Sequence, residues 1–264
     1  MERLSPAQSE TLRRYTEHAA HRPETLGVVL SGSLVRGWGS ERSDVDVIVL
    51  ETEGSIARRR AACETSIYHR AFAAYDDGAV DAKYVDRAYL DAAAEKGSEA
   101  TRNAFVNARV VFSRDDALAA LVERIGTFPE AGVGDRLARF GAQLETCRWF
   151  IGEADKRSNR YLQNWVATRA VLFACRMILA HNRVIFPFHK WMLQATSECP
   201  DKPAGLLDAI DAALREPGVP TVHTLCDLVQ QHRDWPEYPG GWAEGFLRDT
   251  ERMWMRHEPQ IEDV

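Results

Sequence analysis

Cysteine is scarce in the sequence and forms no recognisable motif. The chain has five cysteines, an odd number, and none belongs to a CxxC pair. Disulfide frameworks and zinc sites rely on clustered or regularly spaced cysteines, so neither is indicated. The histidines show no HExxH or other metal-binding spacing. The cysteines are therefore interpreted as reduced core residues of a cytosolic protein.

The sequence also lacks an excess of positive charge. It has 33 lysine and arginine residues against 39 aspartate and glutamate residues, which gives a formal net charge of −6 and a pI near 5.8. Proteins that bind nucleic acid without sequence preference neutralise phosphates with a basic face. The acidic balance argues against nucleic acid as a partner and favours a small polar substrate.

Long apolar runs are a third absence. The stretch from Val171 to Ala180 is too short to cross a bilayer and is interrupted by Arg176. The start of the sequence has no signal-type apolar segment. The sequence therefore predicts a cytoplasmic protein with no membrane partner.

What is present is a chain of 264 residues, 45% of them hydrophobic, which is enough for two domains with separate cores. Short β-branched runs are confined to the first half, and helical spacing of apolar residues dominates the second. Between the halves, Pro129, Gly132 and Gly134 cluster. We predict a first domain at residues 1–130 and a helical bundle at residues 131–264.

The first half is typical of an α/β (α+β) domain. Ser5 and Pro6 are typical of a helix start, and a further helix is predicted over Ile56 to Ala74. Apolar runs bounded by turn residues predict strands over Leu26–Leu30, Val45–Leu50, Ala79–Val85 and Arg109–Phe112. The last helix of the second half is predicted over Trp242 to His257. The expected fold is a small mixed sheet flanked by helices, followed by an all-α bundle.

Two acids occupy the start of the second predicted strand. Residues two apart on a strand point to the same side, so Asp44 and Asp46 are expected to project together. Magnesium prefers hard oxygen ligands and combines one or two carboxylates with water and substrate phosphate oxygens. A second ion about 3.5–4 Å away would allow one metal to activate the attacking oxygen and the other to hold a triphosphate. The pair therefore predicts a site for one or two Mg²⁺ ions.

Gly32 and Ser33 follow the first predicted strand and suit a phosphate. Because Gly32 has no Cβ, the backbone can approach a phosphate closely. If Ser33 opens a helix that runs towards Trp38, free backbone amides face the anion, and the serine hydroxyl is one more donor.

A third acid is expected on an adjacent strand, where it completes the metal site and accepts the proton of an incoming hydroxyl. Asp81 is the preferred candidate because it lies within a predicted strand, between Val80 and Ala82. The competitors lie in the preceding turn or at the strand end: Asp76, Asp77 and Asp86.

Taken jointly, these segments resemble a known signature. Leu30-Ser31-Gly32-Ser33 together with Ser43-Asp44-Val45-Asp46-Val47-Ile48-Val49 is similar to the signature of the DNA polymerase β-type nucleotidyltransferase superfamily. Within it, the chain resembles the two-domain antibiotic nucleotidyltransferases of the aminoglycoside and lincosamide type, which carry a C-terminal helical bundle. These transfer a nucleoside monophosphate from a nucleotide to a hydroxyl.

The resemblance implies roles for individual residues. Gly32, Ser33 and Ser43 would bind the nucleotide, which is ATP or another NTP. Asp44 and Asp46 would bind magnesium and take part in catalysis, with Asp81 as third metal ligand and candidate base. Many relatives have Glu at this third position, and Asp reaches about one methylene less far.

In the second half, the segment Phe186-Pro187-Phe188-His189-Lys190-Trp191 resembles one in relatives with the same two-domain plan. There a bundle lysine faces the nucleotide phosphates, which implies that Lys190 offsets negative charge on the transferred group. The implied partners are a nucleotide and a small hydroxylated acceptor, with AMP moved from ATP to the acceptor and pyrophosphate released. Antibiotic resistance is the implied biological role, and oligomeric state stays open.

Three alternatives remain. The acceptor could be a protein side chain or an RNA end, of which the acidic balance favours the protein. The chain could instead be a catalytically silent sensor that binds a nucleotide and a small ligand. Finally, Arg176 and His181 have the Arg-x4-His spacing of ribonucleases of the helical HEPN class, although Met177 stands where a polar residue is usual.

Overall fold

The computed structural model describes residues 4–256 and 260–262 and divides the chain into two compact units. The first unit ends at Thr127 and the second begins at Phe128. Strands are found in the first unit and, within the described residues, the second is helical.

The elements of the first unit are, in chain order, α1 Pro6–Ala20, β1 Thr25–Leu30, α2 Gly32–Val35, β2 Val45–Glu51, α3 Glu53–Ala62, β3 Ser66–His69, β4 Val80–Val85, α4 Arg87–Lys96, α5 Glu99–Asn103, β5 Arg109–Ser113 and α6 Leu118–Gly126. Helix α1 begins as predicted at Ser5, whose hydroxyl accepts from the backbone N–H of Gln8 while the Gln8 side chain accepts from the Ser5 N–H. This reciprocal cap satisfies two backbone donors at the helix start.

The five described strands form one mixed sheet in the order β3-β4-β2-β1-β5. Strands β2 and β4 are parallel, and the other neighbouring pairs are antiparallel. The predicted fold class, a small mixed sheet with flanking helices followed by a helical part, is confirmed.

Each face of the sheet packs against its own set of helices. On one face, Val45, Val47 and Val49 of β2 pack in a core with residues of α1, α2 and α3. On the other face, Ile48 and Leu50 pack in a core with residues of α4 and α6. Both faces of β2 are therefore buried along most of its length, which explains its nearly continuous apolar sequence.

The predicted helix over Ile56 to Ala74 is wrong in its second half. Helix α3 ends at Ala62 because Cys63 adopts a left-handed conformation, with φ of 57°, and its backbone N–H bonds back to the helix. The chain then enters the short edge strand β3, whose sequence Ser-Ile-Tyr-His suits a half-exposed strand.

The helices of the second unit are α7 Val133–Lys156, α8 Arg160–His181, α9 Phe188–Glu198, α10 Leu206–Arg215, α11 Val219–Gln230 and α12 Trp242–Phe246. The single helix predicted over Trp242 to His257 is not formed. Instead α12 gives way to a π-helical turn, Leu247–Glu251, and then to a 3₁₀ turn, Met253–Met255. His257 lies outside the described residues.

None of the described helices is both long enough and apolar enough to span a lipid bilayer.

Candidate active site

Two of the predicted site residues are direct neighbours across the sheet. Asp46 of β2 and Asp81 of β4 are partners in the parallel pair. Neighbouring strands lie about 4.8 Å apart, and paired residues point to the same face. Both aspartates are partly exposed, whereas Ile48, two residues further along β2 on the same face, is buried under the helices. The two acids therefore share the accessible beginning of this face.

Gly32 lies directly against the carboxylate of Asp46. A Cβ atom built on Gly32 would lie 2.0 Å from Oδ2 of Asp46. Gly32 also has a φ of 77°, a left-handed conformation that favours glycine. In addition, the N–H of Ser31 donates to the carbonyl oxygen of Asp46 over 3.0 Å. The corner after β1 and the start of β2 therefore converge, with the absent side chain of residue 32 leaving room for the acid.

Ser33 belongs to α2, which is only four residues long. The predicted helix running to Trp38 is therefore shorter than expected. The carbonyl oxygen of Ser33 accepts from the N–H groups of Trp38 at 3.0 Å and Gly39 at 3.1 Å, so the segment closes into a compact turn. The Ser33 side chain is partly exposed beside Gly32.

Asp44 is held by a residue of the edge strand. The hydroxyl of Tyr68 donates to Oδ1 of Asp44 over 2.7 Å, and this bond to a carboxylate raises the pKa of the tyrosine. Tyr68 is paired with Asp81 in the β3–β4 ladder, so it stands in the same cross-strand row as Asp81 and Asp46. The Tyr68 side chain therefore extends from β3 across β4, and its hydrogen bond fixes one oxygen of Asp44.

The loop that leads into Asp44 is anchored by two further residues. Nε2 of Gln8 donates to the carbonyl oxygens of Ser40 and Ser43, over 2.9 and 3.0 Å. The hydroxyl of Tyr75 donates to the same Ser43 carbonyl over 2.7 Å. Ser43 therefore contributes its main chain to the site's support, while its side chain accepts from the N–H of Ser40.

A buried ion pair fixes the far end of β2. Glu51 and Arg59 form a two-pronged pair, with nitrogen–oxygen distances of 2.7 and 2.9 Å, and Ser55 donates to the same carboxylate. The Arg59 guanidinium also stacks on the ring of Tyr84, 3.4 Å from its centroid. Burial raises the pKa of Glu51, but the bonds from Arg59 and Ser55 outweigh it and the net pKa is lowered.

The ligand atoms that Asp44, Asp46 and Asp81 offer show whether these acids fit a divalent cation. The carboxylates supply hard oxygen ligands, and the space that a Cβ on Gly32 would fill is taken by Oδ2 of Asp46. Within the described residues, however, no three histidine, cysteine, aspartate or glutamate side chains form a metal-binding group. The arrangement therefore fits an ion held by two carboxylates together with phosphate oxygens, rather than by a complete set of protein ligands.

Comparison with known proteins gives matches among solved structures only. No protein-family model and no curated protein matches the chain. Among solved structures, the chain is similar to a nucleotidyltransferase-like protein from Exiguobacterium sibiricum, at 18% sequence identity, covering 96% of this chain and 81% of that chain, with a TM-score of 0.48.

The other candidates for the third acid do not lie in the row formed by Asp46 and Asp81. Asp86 is buried and caps α4, because its carboxylate accepts from the N–H of Tyr89 and pairs with Arg60, each over 2.8 Å. Asp76 and Asp77 are exposed in the turn before β4. Asp86 therefore has a structural role in the described part of the chain.

In the second unit, Lys190 is exposed in the first turn of α9, with Nζ 5.4 Å from the ring centroid of Trp191. This exposure leaves the ammonium group accessible to a ligand.

The residues of the ribonuclease alternative do not form an accessible pair. Arg176 is only 1% exposed, and its guanidinium lies 4.6 Å from the ring centroid of Phe140 and 4.3 Å from that of Phe186. His181 is hydrogen-bonded to Asp201. A buried arginine cannot contact an RNA phosphate, so this geometry disfavours ribonuclease chemistry.

Sequence reasoning missed Tyr68, Gln8 and Tyr75. Tyr68 could have been found only by recognising β3, since the strand pairing is what brings it to Asp44. Gln8 was readable as a helix-capping residue, but its bonds to Ser40 and Ser43 bridge segments more than 30 residues apart and have no local signal.

Proposed function

We propose that the first unit carries a magnesium-dependent nucleotidyl-transfer site. It moves a nucleoside monophosphate, AMP from ATP, to a hydroxyl of a small molecule. The observation that supports this proposal is the convergence of Gly32 with Asp46 and the register of Asp46 with Asp81. A glycine corner beside two carboxylates on one face suits a polyphosphate that carries a divalent ion.

In the proposed reaction, the acceptor oxygen attacks the α-phosphorus of ATP. A bond forms between that oxygen and phosphorus, and the bond from the α-phosphorus to its bridging oxygen breaks. Pyrophosphate leaves with the electron pair of the broken bond. Asp81 takes the proton of the acceptor hydroxyl, and its pairing with Asp46 across the sheet supports this role.

The other residues bind and orient. Asp44 and Asp46 hold magnesium, which when bound neutralises negative charge on the triphosphate. Gly32, Ser33 and Ser43 border the triphosphate, and the hydrogen bond from Tyr68 fixes the direction of the Asp44 carboxylate. The resemblance assigns to Lys190, in the second unit, the role of offsetting charge on the transferred group, and the Lys190→Met variant tests that role.

The finer proposal is that the acceptor is a hydroxylated antibiotic. Its support is the resemblance of the signature to that of antibiotic nucleotidyltransferases. The experiments below distinguish this proposal from two alternatives: transfer to a protein acceptor, and nucleotide binding by a catalytically silent sensor.

The first experiment measures nucleotide binding by calorimetry, with a nonhydrolysable ATP analogue and Mg²⁺. The double variant Asp44→Asn/Asp46→Asn should lose at least about tenfold in affinity. The matched control is Asp77→Asn, an exposed acid in the turn before β4, which should bind as the wild type does. Equal affinity of the double variant and the wild type would contradict nucleotide binding at the proposed site.

The second experiment measures pyrophosphate release from ATP with a panel of hydroxylated antibiotics. Release that depends on one acceptor, and disappears in Asp81→Asn, supports transfer. Nucleotide binding with no release in the presence of small molecules, proteins or RNA would instead indicate the sensor.

A further inference from the structure

A cavity of about 710 Å³ lies within the second unit. Its floor is one face of α7, where Ala138, Gly141 and Ala142 follow each other at helical spacing. A Cβ built on Gly141 would meet only Cε of Met177, at 3.8 Å. The cavity therefore exists because three consecutive positions on this face carry almost no side chain.

Aromatic rings border the cavity on the segment that joins α11 to α12. They are Trp235, Tyr238 and, at the start of α12, Trp242. The indole N–H of Trp235 donates to the carbonyl oxygen of Val229 over 2.8 Å, which fixes the ring. A Cβ on Gly245 would lie 3.1 Å from Cγ of Tyr238, so this glycine lets α12 approach the tyrosine. Trp235 is therefore held by a hydrogen bond, and Tyr238 is held by close packing against α12.

The charge at the cavity is predominantly negative. Its acidic lining residues are Glu145, Asp234 and Glu237, against the single basic residue Arg233. The Arg233 guanidinium is already engaged, because it contacts His181 and lies 3.7 Å from the Asp201 carboxylate.

Glu145 is the acid nearest to the small-residue face, one turn beyond Ala142 on α7. Its side chain is partly buried, and burial raises its pKa. The adjacent Arg148 is paired with Asp227. No hydrogen bond or salt bridge joins Glu145 to another residue in the described part of the chain. The attraction of Arg148 and His223 offsets the loss of water around the Glu145 carboxylate only in part, so a cation that enters the cavity stabilises it.

We propose that this cavity binds an organic ammonium ion with an apolar body. The ammonium group lies at Glu145, and the apolar body packs between the small-residue face of α7 and the rings of Trp235, Tyr238 and Trp242. Aromatic faces attract cations, and the volume falls in the range of ordinary small-molecule sites, roughly 300–1,000 Å³. Every residue involved belongs to the second unit, so the inference does not depend on nucleotidyl transfer.

The test uses the full chain without nucleotide or Mg²⁺. Calorimetry compares 2-phenylethylammonium with 2-phenylethanol, a neutral molecule of nearly the same shape. The ammonium ion should bind at least about tenfold more tightly than the alcohol. In Glu145→Gln, which keeps the size of the side chain, this preference should fall below about threefold. The matched control is Glu153→Gln on the same helix, whose carboxylate pairs instead with Lys156 and Arg157.

The indole N–H resonances locate the binding site independently of affinity. Addition of the ammonium ion should shift the resonances of Trp235 and Trp242, each assigned by its Trp→Phe variant, and leave Trp38 of the first unit unchanged. The proposal is overturned if the two probes bind equally, if neither produces binding heat, or if Glu145→Gln keeps the full preference while its far-UV circular dichroism matches the wild type.

Discussion

Oδ2 of Asp46 occupies the space that a side chain on Gly32 would need, 2.0 Å from the position of its Cβ. Gly32 is therefore required for two separate reasons, its left-handed φ of 77° and the proximity of this carboxylate. Any larger residue must either push the Asp46 side chain away or move the corner after β1. The proposed site is therefore sensitive to the addition of a single methyl group at residue 32.

Replacing Gly32 by alanine separates these two reasons when it is compared with Gly37→Ala. Gly37 has a similar φ of 73°, but a Cβ there would meet nothing within 4 Å. Both variants should lose about 1–2 kcal/mol in free energy of unfolding by urea, from the backbone conformation alone. Only Gly32→Ala should lose pyrophosphate release, by about a hundredfold, because Asp46 is displaced. Equal activity of the two variants would contradict the role given to Asp46.

Tyr68→Phe removes the hydrogen bond to Asp44 and leaves the ring in place. The carboxylate loses a fixed orientation, so the Mg²⁺ concentration needed for half-maximal pyrophosphate release should rise about threefold to tenfold. The control is Tyr161→Phe, since Tyr161 is 78% exposed in the second unit. An unchanged Mg²⁺ requirement in Tyr68→Phe would show that Asp44 does not need the tyrosine.

The strands that carry the predicted acids could be predicted from the sequence because the pattern of apolar residues in each strand matches its burial. In β2 the apolar run is continuous, since both faces are buried, and in β4 the alternation of Val80, Ala82 and Tyr84 reflects burial on one face only. The edge strand β3 could not be read in this way. It follows a helix that ends at Cys63 in a left-handed conformation, where a glycine or asparagine would have marked the end.

The sequence predicted only those parts of the site that lie within short segments or on neighbouring strands. The corner at Gly32 and the acids of β2 follow from short segments, and their proximity follows from pairing two neighbouring strands. Tyr68 reaches Asp44 across the intervening strand β4, and Gln8 of α1 bonds to Ser43, 35 residues further along the chain. Such contacts depend on strand order and helix placement, which periodicity along the chain does not encode.

Lys190→Met tests the proposed contribution of the second unit. If the ammonium group faces phosphate, the KM for ATP should rise about threefold to tenfold, and the difference from wild type should shrink as salt is raised. The control is Lys156→Met, because Lys156 is exposed in the same unit and is paired with Glu153. An unchanged KM for ATP in Lys190→Met would contradict a role for this residue in nucleotide binding.

Arg59→Met tests the ion pair that fixes the far end of β2. The Arg59 and Glu51 side chains are 9% and 1% exposed, so removal of the arginine leaves an uncompensated buried carboxylate. The free energy of unfolding by urea at pH 7 should fall by about 3–5 kcal/mol. The control is the neighbouring Arg58→Met, since the Arg58 side chain is 69% exposed and lies 3.8 Å from Glu24. Its loss should have little effect.

The pH dependence of stability should reverse in the same variant. In the wild type the net pKa of Glu51 lies below its ordinary value of 4.5, so its stabilising contribution is complete above that pH and is lost as the pH falls further. Without Arg59, burial is unopposed by the arginine and the pKa of Glu51 should rise. A carboxylate with a raised pKa stabilises the fold when protonated, so Arg59→Met should gain stability, relative to Arg58→Met, as the pH is lowered from 7 to about 4.5. Parallel pH profiles for the two variants would show that Glu51 finds another partner when Arg59 is removed.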